Sequence, residues 1–144
     1  MVDSTGKKVV EADEFVLRGE SGRVLARLAS GEHGPALNLY DTNGQVRVII
    51  GLGATGPRLG LYDGEGTARA TIAVLPDGPH LSLYDGGGTA RARWAVLEDV
   101  PALTLDDDRG RTRLGLSVSV YGPEMSFFDA QGIPSYSVPP TESH

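Results

Sequence analysis

LGLYDGEGTARATIAV, residues 59–74, returns 22 residues later as LSLYDGGGTARARWAV at 81–96 and is preceded at the same step by LNLYDTNGQVRVIIGL at 37–52. The step holds along the chain. Asp41, Asp63, Asp85, Asp107 and Asp129 keep it, as do Gly22, Gly44, Gly66, Gly88, Gly110 and Gly132, and Pro35, Pro57, Pro79, Pro101 and Pro123. A fixed period of this length means one supersecondary unit stacked on copies of itself, each burying what its neighbour cannot bury alone.

Within a unit, the alternation of side chains on a strand sorts the residues into faces. Val46, Val48, Ile50 and Leu52 fall on one side of a long arm, and Ala68, Ala70, Ile72 and Val74 repeat the pattern. The shorter arm carries Leu59 and Leu61 inward, with Arg58, Gly60 and Tyr62 outward. Each unit therefore reads as a hairpin of unequal arms. Matching faces across strands pairs Leu61 with Ala68 over Asp63-Gly64-Glu65-Gly66, where Asp accepts backbone N–H groups and the last Gly takes positive φ. At the opposite end, Val74 is matched with Leu81 across Pro76-Asp77-Gly78-Pro79, a type I turn with φ preset by proline. Val100 breaks the glycine column of that turn, which predicts a distorted turn there.

The whole is predicted to be an all-β antiparallel meander of about eleven strands. Residues 11–138 form a single β-hairpin repeat domain, between a flexible N-terminal arm (1–10) and a flexible tail (139–144). Val9 and Val10 are candidates for an added edge strand, whereas Pro139 and Pro140 cannot continue a sheet.

Such a meander has one apolar face and nothing else in the chain to cover it. The inward columns Leu28, Ile50, Ile72, Trp94, Leu116 and Leu39, Leu61, Leu83 are the expected assembly core. A homotrimeric β-prism, with three apolar faces meeting around an axis, is the preferred architecture. A monomeric β-barrel or sandwich is the alternative. Trp94 reads as a core residue, with Ala68, Ala70, Ala90 and Ala92 leaving room for its indole.

Composition narrows the function classes. A formal charge of −6 disfavours nucleic acid and anionic lipid, both of which need a basic face. There is no cysteine, hence no disulfide or thiolate chemistry. The start MVDSTGKKVV lacks the apolar region of a secretory signal, and no segment is long and apolar enough to span a bilayer, so a cytoplasmic location is the default expectation, with release by another route as the alternative.

The quoted repeats, together with EADEFVLRGESGRVLARL at 11–28, resemble an uncharacterised bacterial β-repeat family with units of the form LxLYDxxGxxRAxLxV. A looser resemblance links them to the β-repeats of trimeric phage fibres and spikes. Both imply a hairpin array, and neither implies a catalytic residue or a cofactor. The pattern is interrupted where Asp106 and then Phe128 replace the tyrosine.

Two surface features are candidates for binding. Arg47, Arg69, Arg91 and Arg113 recur two strands apart, beside Tyr40, Tyr62 and Tyr84, at about 9.6 Å on ordinary strand spacing. They read as an edge ladder with the turn carboxylates, or as a rail that stacks on successive sugar rings of a glycan or engages another surface protein. The acidic run Asp106-Asp107-Asp108, with Glu98 and Asp99, lacks the spacing of a calcium loop, and His33, His80 and His144 are not at ligand spacing, so no metal site is expected. Nothing places a nucleophile beside a base, and Asp85-Gly86-Gly87-Gly88 is followed by no helix and no Walker lysine. The expected protein is non-enzymatic: a rigid self-assembling module acting as spacer, fibre segment or assembly platform.

Overall fold

The computed structural model describes residues 10–138. These form twelve strands in one antiparallel sheet whose spatial order is the sequence order. The strands are β1 (Glu14–Arg18), β2 (Val24–Gly31), β3 (Gly34–Tyr40), β4 (Val46–Gly53), β5 (Gly56–Tyr62), β6 (Ala68–Leu75), β7 (Gly78–Tyr84), β8 (Ala90–Leu97), β9 (Val100–Asp106), β10 (Thr112–Ser119), β11 (Gly122–Phe128) and β12 (Pro134–Val138). The all-β meander is as expected, with one strand more than the expected eleven. Val10 belongs to no strand, while Val9, Pro139 and Pro140 lie outside the described residues, as does most of each expected flexible end. Among the described residues no helix is long and apolar enough to cross a membrane.

Each unit turns at two different corners. At the aspartate corner, Asp63 N–H donates to Thr67 O at 3.0 Å and Gly66 N–H to Asp63 O at 3.2 Å. Gly66 has φ 82°, as the left-handed residue of a three-residue hairpin loop requires. At the proline corner, Leu75 faces Gly78 directly, so the turn is the two-residue Pro76-Asp77. Ile72 then opposes Leu81 and Val74 opposes Pro79, two residues away from the expected Val74–Leu81 match. The tight turn wins because it adds ladder bonds that the longer loop would forgo. In the next unit Glu98 and Asp99 take φ 48° and 67°, the pair of positive angles of a type I′ turn, and this is how Val100 is accommodated without glycine. Elsewhere glycine is obligatory at that point: a Cβ on Gly78 would collide with the carbonyl oxygen of Val96.

The register contains a device that alternation alone does not reveal. Leu61 opposes Ala70, but Tyr62 opposes Ala68, leaving Arg69 as an extra residue in a β-bulge. Arg47, Arg91 and Arg113 occupy the same bulge in β4, β8 and β10. The bulge reverses face parity, so Val46, Ala68 and Ala90 stand with the tyrosines rather than with the inward column. Leu61 therefore pairs with Ala70, not Ala68.

The sheet is not closed, because β1 and β12 pair only with β2 and β11. It makes neither a barrel nor a second packed layer, and its two faces differ in an unexpected way. The buried side chains Ser82, Ala95, Asp106 and Ser126 all sit on the face of small and polar residues. On the apolar face Ile50, Ile72 and Trp94 remain 49%, 51% and 62% exposed. Ala95 is the one buried hydrophobic residue among those described.

Candidate functional site

The four bulge arginines turn out to be structural clamps. Arg69 Nε donates to the carbonyl oxygen of Tyr84 on the following hairpin at 3.2 Å, and its Nη1 lies 3.5 Å from Asp63 Oδ2. Arg47 joins Tyr62 O (2.7 Å) to Asp41 (3.3 Å), and Arg91 joins Asp106 O (2.9 Å) to Asp85 (3.3 Å). In the last of the series Arg113 keeps the carbonyl of Phe128 at 2.9 Å, while Arg111 takes over most of Asp107, at 2.7 Å. Each clamp ties the corner of one unit to the end of the next. The arginine contact with tyrosine is thus to its backbone oxygen, and the ion pair is part of the repeat's own frame.

The aspartates are bound as fully. Asp41 Oδ1 accepts N–H bonds from Gln45 (3.0 Å) and Asn43 (2.8 Å), and these bonds with Arg47 hold its carboxyl below the ordinary value. At Asp63, desolvation pushes the pKa upward, but the Thr67 and Glu65 amides and Arg69 outweigh it and the net shift is downward. Asp85 is lowered chiefly by the Thr89 amide, and Asp107 most strongly of all, chiefly by Arg111. The acidic run therefore divides its work: Asp107 serves the corner, and Asp106 lies on the small-residue face with its side chain fully covered. Among the described residues no three His, Asp or Glu side chains converge.

Tyr40, Tyr62 and Tyr84 are half-buried on the small-residue face. The Tyr62 ring lies over Gly60, so close that a Cβ there would sit 2.8 Å from the ring edge and hydroxyl. Tyr84 Oη meets Thr71 Oγ1 at 3.1 Å. One unit on, the equivalent positions hold Arg93 and Asp106, whose Nη2 and Oδ2 are 2.8 Å apart, with Thr112 Oγ1 donating to Asp106 Oδ1 at 2.8 Å. One further, they hold Gly115 and Phe128, and a Cβ on Gly115 would be 3.6 Å from the ring. The same diagonal site is filled three ways. Replacement of tyrosine by Asp106 is thus matched by replacement of threonine by Arg93.

Two surfaces remain open. The apolar face carries the expected assembly core, with Leu28, Leu39, Leu61, Leu83, Ile50, Ile72 and Trp94 exposed and Leu116 half-buried. On the opposite face a groove of about 440 Å³ runs between Tyr62, Tyr84 and the β4–β5 corner, and includes Arg58 and Thr71. Arg58 is outside the 22-residue arginine column, so periodicity gave no reason to single it out. No family model matches the chain, and no curated protein is significantly similar to it.

Proposed function

We propose that the protein is a non-enzymatic, self-assembling β-repeat module in which the apolar faces of three copies meet around an axis. It would serve as a rigid spacer, fibre segment or assembly platform. The observation that carries this reading is the bare apolar face on an open sheet. The exposed fractions leave on the order of 1,500 Å² of apolar side chain uncovered, against about 300–600 Å² for the largest patch of an ordinary monomer and about 800 Å² per partner in a stable interface. The clamps between units support rigidity. The resemblance to trimeric fibre and spike repeats points to the same assembly.

Trp94, the only tryptophan, reports on that face. Its fluorescence is expected to be blue-shifted and shielded from acrylamide at concentrations where copies associate, and to move toward the emission of solvated indole on dilution. Water-exposed emission at every concentration would remove the assembly reading.

A further inference from the structure

The groove on the small-residue face is built differently from the rest of that surface. Arg47 and Arg69 are held by their carboxylates and carbonyls, whereas Arg58 meets no hydrogen-bond or ion-pair partner among the described residues. Its register neighbours are Gly51 on β4 and Ala73 on β6, neither of which can fill the space around a guanidinium. Its Cδ would lie only 3.5 Å from a Cβ on Gly53, so the stem of Arg58 runs along its own hairpin. The two rings bounding the groove are placed by contacts already made, Tyr62 over Gly60 and Tyr84 against Thr71.

We infer that this groove binds an acidic saccharide, with the carboxylate of a uronic-acid ring on Arg58. A guanidinium presents two parallel N–H donors that match a carboxylate, and it stays charged at any physiological pH. Aromatic side chains offer flat faces to a sugar ring, and the hydroxyls of Thr71 and Tyr84 supply polar contacts beside them. The volume of about 440 Å³ falls within the ~300–1,000 Å³ usual for small-molecule sites. Since a chain of charge −6 repels anions in general, binding of one depends on this cation, which has no carboxylate partner among the described residues. The groove lies on the face opposite the apolar one, so it stays open when copies assemble.

The test is calorimetric titration of the full chain with digalacturonate, with cellobiose as a neutral two-ring control and sodium acetate as a control for charge alone. Saturable binding of digalacturonate only is expected, weakened about tenfold or more by Arg58→Gln, as loss of one charge-assisted pair implies. Arg58 is exposed and carries no part of the clamps, so the variant should keep the parent's circular dichroism and assembled mass. No binding of digalacturonate, equal binding by Arg58→Gln, or equal affinity for cellobiose or acetate would overturn the assignment. Measuring the mass of the same samples separates this outcome from failure of the assembly reading, which would change the mass and leave the binding in place.

Discussion

Asp41, Asp63, Asp85 and Asp107 each use one carboxylate oxygen for two backbone amides and the other for an arginine, which explains why Asp, Gly and Arg keep a common register; among the described residues Asp129 keeps the two amides alone. The aspartate and glycine roles were legible, because turn chemistry is local. The arginine's second partner, a carbonyl fifteen residues on, was not, since only the stacked array brings it near. The depressed carboxyls of Asp41, Asp63, Asp85 and Asp107 make a prediction about acid. A group that binds its proton less tightly folded than unfolded stabilises the fold above its unfolded value of 3.8 and loses that stabilisation as pH falls toward the folded value. The urea midpoint should therefore be level from neutrality to about pH 5 and decline below about pH 4. Asp63→Asn, which keeps an oxygen for the Glu65 and Thr67 amides, should lower the midpoint less than Asp63→Ala. Equal losses in the two variants would mean that the amide bonds contribute nothing.

Among the elements, the hairpin was readable and its faces only in part. Alternation identified the strands, but a bulge inserts one residue and leaves no mark in an apolar pattern that contains Ala68 and Ala70 alike. For this reason Val46, Ala68 and Ala90 were placed on the wrong side. The bulge sets each arginine where it can reach both the corner and the next hairpin, so a departure from the regular ladder makes the clamp possible. The diagonal site above the small residues gives the test at this scale. Arg93→Thr leaves the covered Asp106 carboxylate without its cation, and Asp106→Tyr crowds a ring against Arg93; each single change should destabilise by about 1–3 kcal/mol. The double variant restores the Thr71–Tyr84 arrangement of the previous unit and should recover most of the loss. Additive losses in a double-mutant cycle would show that the two positions are independent.

For the molecule as a whole, the 22-residue period implied an antiparallel hairpin array with one apolar face, but not whether the sheet stays open, because periodicity within one chain fixes neither its closure nor its copies. The ends of the array differ from its middle: Leu25 and Ser135 stand at the bulge positions that hold arginine in β4, β6, β8 and β10. Ile72 is half-exposed on the apolar face, on β6 of the twelve strands, and in the proposed assembly Ile72→Asp would bury an unpaired charge. The variant should therefore dissociate; a parent-like assembly would place Ile72 outside the interface. The most direct test is the absolute mass of the parent protein by light scattering after size exclusion. The proposed prism predicts three chains of 15.2 kDa, and a single-chain mass at all concentrations would contradict it.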